Sequence, residues 1–480
     1  MTRGSELRSW IQRKRGVLLL LVLMLAAVFA FCVSAASPTK PNFVLILADD
    51  LGWNSLSFRM DDRVPDSRSD FHATPNLERL ARDGMRFTSA YSPASTCCPT
   101  RRSIQFGQTP TRQGELRFAR DFDPAAHPRL TIPRMLKSAD ARYRTAHYGK
   151  WDLRADIFPE DLGYDESDGN TGNQNGNVAS DPKTKFTSLY LNTDPKRIET
   201  LTGRAVNFIR RNHAAGNPFF LQLSHYATHV DIQARSGTHA KYADRQPGRI
   251  HSNPGWAAML DDLDEGVGRV LKAIEQLGIA GNTYIFFMAD NGGLEFIPPV
   301  QNKMDHPSKF PTPARNHPLR GGKWVLYEGG IRVPFIVRGP GIKPGTQCDA
   351  PIAGWDILPT IADLAGFSKP LPDNLDGGSL RGVLEAADHI VKRPTNGLIF
   401  YRPTSAYPHS AIRVGRFKLI KIWKTQKLEL YDFNADLGET DDLAAKLPAK
   451  TEELHRQLMN YLQAVDAEVL RGYGPAVKED

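Results

Sequence analysis

Cysteine is scarce in this chain, with 4 residues among 480. So few cannot staple a chain of this length, and a disulfide scaffold is excluded. Repeats are lacking too; no stretch recurs at the periods of solenoids or propellers. Outside residues 1–15 there is no run of Lys and Arg with interleaved aromatics, which argues against a nucleic-acid partner. Intrinsic disorder is excluded by a hydrophobic fraction of 41% against 24% charged residues. The length suffices for one large α/β domain or a few ordinary ones.

The formal net charge of +8 is partly local. Arg3, Arg8, Arg13, Lys14 and Arg15, opposed only by Glu6, precede an apolar run over 17–33 that ends in Ser34, Ala35 and Ala36. A basic start, an apolar stretch and small residues read as a secretory signal, and the run also reaches the short end of what spans a bilayer. Residues 1–36 are therefore expected to be a signal peptide or, uncleaved, a membrane anchor. The body is expected to be exported, periplasmic or secreted. Without this segment 56 basic residues face 52 acidic ones, a net of +4. Cys97, Cys98 and Cys348 remain, and neighbours such as Cys97 and Cys98 fit disulfide geometry poorly.

In the body, the apolar runs FVLILA (43–48), FFLQL (219–223), YIFFMA (284–289) and VPFIV (333–337) read as buried strands. Helical patterns lie between them, at 74–84 and at 254–277, where Met259, Leu260, Leu263, Val267, Val270, Leu271 and Ile274 share one face. Strands alternating with helices predict an α/β fold, a large and mostly parallel sheet sandwiched by helices. Segments 160–190 and 296–320 read as excursion loops. After about residue 395 come shorter strand-like stretches (398–401, 411–422, 427–433), then an amphipathic helix carrying Leu454, Leu458, Tyr461 and Val465. The expected division is a catalytic α/β domain over 37–395 and, over 396–480, a small antiparallel sheet with a terminal helix.

In open α/β sheets ligands sit outside the carboxyl ends of the strands. There FVLILA runs into Asp49 and Asp50, and YIFFMA into Asp290 and Asn291. Either pair alone is ordinary turn chemistry. Both at one sheet edge would repel unless a cation sat between them, and oxygen donors suit Ca²⁺ or Mg²⁺ better than zinc. The segment 144–149 leads into Lys150, Trp151 and Asp152, and FFLQL leads through Ser224 to His225 and His229. Ser95-Thr96-Cys97-Cys98-Pro99-Thr100-Arg101 reads as a helix amino terminus, with Cys97 where amide N–H groups and the helix dipole favour negative charge. Two readings of Cys97 stand: a structural cysteine beside a turn proline, or an activated thiol nucleophile.

Cys97-Cys98-Pro99-Thr100-Arg101 resembles the C-x-P-x-R motif of the sulfatases, in the alkaline-phosphatase superfamily. PNFVLILADDLG, TPNLERLARDGMRFTSAYS, YGKW, ADNGG, LRGGKWVLYEGGIRVPFIVRGPG and LYDFNADLGETDDLA resemble sulfatase segments in the expected order, over about residues 40 to 470. The resemblance implies hydrolysis of sulfate monoesters, usually of a sulfated carbohydrate. It implies that a maturation enzyme converts Cys97 to Cα-formylglycine, whose hydrate attacks sulfur and then releases sulfate by collapse of its C–O bond. It implies one divalent cation, usually Ca²⁺, bound by Asp49, Asp50, Asp290, Asn291 and the residue at Cys97. By the same resemblance Arg101 holds the hydrate, Lys150 and Lys323 clamp the sulfate, and His229 protonates the leaving oxygen.

One departure stands out: the family usually reads GKWHLG, and here GKWDLR puts Asp152 at the histidine. Either Asp152 replaces the base, or another histidine such as His225 compensates, or the chain is a catalytically impaired glycan-binding relative. A phosphonate or phosphodiester hydrolase of the same superfamily is the other enzymatic reading.

Overall fold

The computed structural model describes residues 40–114, 130–154, 156–177, 189–295, 314–386, 389–403 and 407–471. Apart from Lys40, the described residues belong to one compact unit that begins at Pro41. The expected export segment lies outside the described residues, as do Phe296, Asn302 and His306 of the second excursion loop. Among the described residues no helix is long and apolar enough to cross a membrane.

An eight-stranded mixed sheet forms the centre. Its strand order is Thr346–Cys348, Met85–Phe87, Phe335–Arg338, Thr283–Ala289, Asn42–Ala48, Phe219–Ser224, Arg144–Gly149 and Glu166–Ser167. Thr283–Ala289, Asn42–Ala48, Phe219–Ser224 and Arg144–Gly149 pair in parallel, so their carboxyl ends share one edge. Asn42–Ala48, Phe219–Ser224 and Thr283–Ala289 are buried over every residue, as expected of a parallel sheet covered on both faces. Phe335–Arg338 is antiparallel to its neighbours. It begins two residues later than the pattern 333–337 suggests, because Pro334 has no N–H to give the ladder.

Helix Pro254–Gln276 follows the predicted stripe. Pro254 occupies its first turn, and the Asn253 side chain accepts the Trp256 N–H at 2.9 Å, a standard amino-terminal cap. Because this helix leads directly back into Thr283–Ala289, its amino end lies at the sheet edge where the parallel strands end.

Near the C-terminus, Leu398–Arg402, His409–Val414, Phe417–Ile422 and Leu428–Asp432 form an antiparallel four-stranded sheet. The stretch 411–422, read from sequence as one piece, is two strands joined at Gly415 (φ 58°) and Arg416. The left-handed turn at Gly415 is what the hairpin requires. Side chains alternate across this sheet. Leu398, Phe400, Ala411 and Ile420 join a cluster with Leu326, Tyr327 and Ile331, while Ile399, Tyr401, Ile412 and Leu419 meet Leu454, Leu458 and Tyr461 of helix Pro448–Ala464.

Candidate active site

The parallel strands deliver their next residues to one place. Asp49 and Asp50 follow Asn42–Ala48, Lys150 follows Arg144–Gly149, and Asp290 and Asn291 follow Thr283–Ala289. All five are buried. Asp50 takes a left-handed conformation (φ 58°), as do Asp152 (φ 51°) and Trp324 (φ 81°). For a bulky residue such as Trp324 that backbone is strained, and such strain gathers at functional sites.

Helix Cys97–Phe106 enters the same spot with its amino end. Thr96 is its N-cap in an extended conformation, and Gly107 (φ 63°) ends it in the left-handed region, so the helix boundaries follow the sequence signals. Arg101, one turn in, donates to Asp290 Oδ2 from Nε at 2.9 Å and from Nη2 at 2.7 Å, and from Nη1 to the Lys150 carbonyl. One guanidinium thereby ties the helix to two strand ends.

The carboxylates are held by cations. Lys150 Nζ lies 2.6 Å from Asp49 Oδ2 and 3.6 Å from Asp152 Oδ2. Lys323 Nζ lies 2.7 Å from Asp50 Oδ1, and Asn291 Nδ2 donates to the same oxygen at 2.7 Å. His229 turns Nδ1 to the Val230 carbonyl and Nε2 toward Asp50 Oδ2, 3.7 Å away. Even so, Asp49 Oδ1 and Asn291 Oδ1 are buried without a hydrogen-bond partner. Ligand atoms of Asp49, Cys97 and Asp290 lie within 4.8 Å of one another, as do those of Asp49, Asp50 and His229. Unsatisfied buried oxygens in a crowd of carboxylates fit a hard divalent cation.

The titration behaviour follows from this crowding. Burial pushes the Asp49 carboxyl up, but Lys150, His229, Arg101 and Lys323 outweigh it and hold it well below the usual range. Asp50 ends above its ordinary value, with burial and Asp49 prevailing over Lys323. Burial and Asp49 push Asp290 up to about 6, against Arg101. Burial, then Asp152, push the Cys97 thiol far up. The unmodified thiol thus stays protonated at neutral pH, and the reading of Cys97 as an activated thiolate is not supported. Burial and Lys323 drive His229 well below its usual value.

Residues 41–367 match the family described as Sulfatase, and residues 321–468 match N-sulphoglucosamine sulphohydrolase, C-terminal. The chain belongs to the sulfatase family. Arylsulfatase A of Bos taurus is 32% identical over 83% of this chain and 77% of its own length. N-acetylgalactosamine-6-sulfatase of Rattus norvegicus is 29% identical over 89% of this chain and 80% of its own. The crystal structure of Ps i-CgsB in complex with k-i-k-neocarrahexaose superposes with a TM-score of 0.70 at 25% identity, covering 88% of this chain and 93% of that one. The protein is accordingly a sulfatase, a hydrolase of sulfate esters.

Within this sulfatase, Asp49, Asp50, Cys97, Arg101, Lys150, Asp152, His229, Asp290, Asn291 and Lys323 come to the one site. His225 does not. Its ring faces Gly266 of helix Pro254–Gln276, both nitrogens lack a partner, and burial pushes it down to about 3. His317 is paired elsewhere, 3.1 Å from Asp66. Sequence reasoning passed over Thr228, whose hydroxyl donates to the Asp49 carbonyl at 3.1 Å, and Thr171, which accepts the Trp151 N–H at 3.0 Å. Both sit in loops where no periodicity marks them.

Proposed function

We propose that this sulfatase is an exported enzyme that removes sulfate from a sulfated carbohydrate. In this reading a generating enzyme matures Cys97 to Cα-formylglycine, and Asp49, Asp50, Asp290, Asn291 and residue 97 hold one divalent cation, Ca²⁺ before Mg²⁺. The observation that carries the reading is the pair of buried, partnerless acceptors, Asp49 Oδ1 and Asn291 Oδ1. They stand beside Asp50 and Asp290, the carboxyls that burial and mutual repulsion push up. The name of the rat relative and the sugar held by the Ps i-CgsB structure support a carbohydrate substrate.

Bound there, the cation supplies positive charge for sulfate oxygens and for the ionised nucleophile. Formylglycine supplies a hydrated aldehyde whose second hydroxyl gives the covalent adduct an exit that Ser or Cys lacks. The remaining work belongs to the chain. Lys150 and Lys323, each already on a carboxylate, present ammonium groups to the sulfate as it enters. Arg101 fixes the helix end that carries residue 97. His229 Nδ1–H donates to the Val230 carbonyl, so Nε2 is the nitrogen that exchanges a proton with the leaving alcohol oxygen. Burial, and after it Lys323, lower its proton affinity in the free protein, and an incoming sulfate that neutralises Lys323 offsets the second of these. Asp152, against Cys97 and below its usual pKa because Lys150 and Cys97 outweigh burial, is a carboxylate able to accept the nucleophile's proton.

The test is mass spectrometry of the peptide containing Cys97 after co-expression with a formylglycine-generating enzyme, alongside turnover of aryl sulfate and aryl phosphonate esters. Conversion at Cys97 with faster sulfate turnover is expected. Unmodified cysteine with no turnover, or a preference for the phosphonate, overturns the reading.

A further inference from the structure

Arg315 belongs to none of the groups above, yet it sits beside them. The Asn54 side chain, four residues past Asp50, donates to the Arg315 carbonyl at 3.0 Å and to the His317 carbonyl at 2.7 Å. Asn316 Nδ2 donates at 2.9 Å to the Gly293 carbonyl, which also accepts the Lys323 backbone N–H at 3.0 Å. At Gly52, a Cβ would lie 2.6 Å from Asn316 Oδ1, so the two loops are in close contact. The segment bearing Arg315 is therefore pinned to the loops that carry Asp50 and Lys323.

The guanidinium lies over the Trp256 ring, with its central carbon 3.9 Å from the ring centroid. Trp256 is itself fixed by the helix cap at Asn253 and by the ring of His72, 4.8 Å away. Arg315 Nε is buried with no partner, and among the described residues no carboxylate forms an ion pair with this side chain. The acidic groups that act on it are Glu295, which burial pushes up to about 8 so that it is largely protonated at neutral pH, and Asp50, whose carboxylate Lys323 already holds at 2.7 Å. Burial likewise pulls Arg315 down to about 9. A stacked, desolvated and unpaired guanidinium is costly to keep. It is also preorganised to meet an oxyanion with its planar fork.

We propose that Arg315, supported from beneath by Trp256, is a second anion subsite, which takes a sulfate or uronate carboxylate of the sugar chain other than the ester being cleaved. This rests on the reading of the protein as a carbohydrate sulfatase. It makes the preferred substrate a polyanionic glycan, not a singly sulfated one. Lys150, Lys323 and Arg315 then form one positive track into which such a chain is drawn.

The test compares the matured enzyme with Arg315→Gln and Arg315→Lys. Calorimetric binding is measured for a mono-sulfated hexosamine, the same sugar with a second sulfate, and a disaccharide pairing the sulfated hexosamine with a uronate. Turnover of 4-nitrophenyl sulfate is recorded in parallel. A charge-assisted contact predicts that wild type binds one of the two dianionic sugars about 10- to 100-fold more tightly than the mono-sulfated one. The favoured dianion tells sulfate from carboxylate. Arg315→Gln should erase that preference, and Arg315→Lys should keep part of it. No preference in wild type, or an equal loss for all three sugars in Arg315→Gln, overturns the subsite. A preserved preference with no turnover of any sulfate ester overturns the carbohydrate-sulfatase reading and leaves the subsite standing.

Discussion

Lys150 has no exposed surface, and its Nζ lies 2.6 Å from Asp49 Oδ2 and 3.6 Å from Asp152 Oδ2. A buried pair is weak evidence of stability, but removing one member leaves an uncompensated charge that costs about 3–5 kcal/mol. Lys150→Met is therefore expected to lower the unfolding midpoint and to cut kcat/KM on aryl sulfate by about 10²–10³-fold. Added Ca²⁺ should restore part of the midpoint, because it can replace the lost counter-charge on Asp49. Midpoints with Ca²⁺ and with chelator check this; no calcium response would speak against a cation at Asp49. Asp152 allows a sharper division of roles. Asp152→Asn keeps the shape, removes the proton acceptor and deletes a negative charge beside the sulfate. Its kcat should fall on the order of 10²-fold while KM falls as well. An unchanged kcat would assign the base elsewhere. His225 is a poor substitute, since its ring faces the long helix.

At the scale of elements, the site is built from strand ends, and the turns leaving those strands tolerate little. Gly149 (φ 96°) closes Arg144–Gly149, and a Cβ there would lie 2.0 Å from the Ser224 carbonyl oxygen. That carbonyl also accepts the Lys150 N–H at 2.8 Å. Gly149→Ala should push Lys150 away from Asp49 and destabilise the fold by a few kcal/mol, roughly the size of other forced backbone clashes. Thermal unfolding together with aryl sulfate turnover reads both effects, and a variant with wild-type values in each would refute the close approach. This is also why so much of the site could be read from the sequence. Asp49, Asp50, Asp290 and Asn291 abut apolar runs that read as buried strands of an alternating α/β pattern, and these two strands pair in parallel and share a carboxyl edge. Arg315, Asn316 and Glu295 were not legible, because they lie in loops and meet Asn54 and Trp256 only through the tertiary fold. The boundary at Gly415 was missed for a related reason. Val414 and Phe417 on either side are strand-forming, and the turn through Gly415 and Arg416 is set by the left-handed φ of Gly415.

Across the whole molecule, the small sheet is joined to the segment following Lys323 by a buried charge network that no sequence pattern announced. Lys418 Nζ lies 2.9 Å from Glu328 Oε1 and 2.9 Å from Glu439 Oε1, and Glu439 Oε2 accepts the Glu328 N–H at 2.6 Å. One lysine thus serves two carboxylates. Burial pushes Glu328 up, but Lys418, Arg332 and Arg413 prevail and hold it down at about 2. Glu439 receives the smaller share, and burial with repulsion from Glu328 prevails over Lys418, carrying it up to about 7. Its folded-state value therefore lies above the ordinary carboxyl value of 4.5. Between those two values the folded chain binds a proton that the unfolded chain has released, so stability falls as pH rises through this window and levels off above it. The loss should be on the order of 2 kcal/mol. Glu439→Gln keeps the acceptor for the Glu328 N–H, leaves Lys418 with Glu328 and removes the titration. Asp290 and Glu295 are pushed up as well and tilt both proteins alike, so the difference between wild type and variant isolates Glu439. Unfolding free energies from urea titrations at about pH 5 and pH 7.5 should show the steeper decline in wild type, and two parallel pH profiles would sink the assignment.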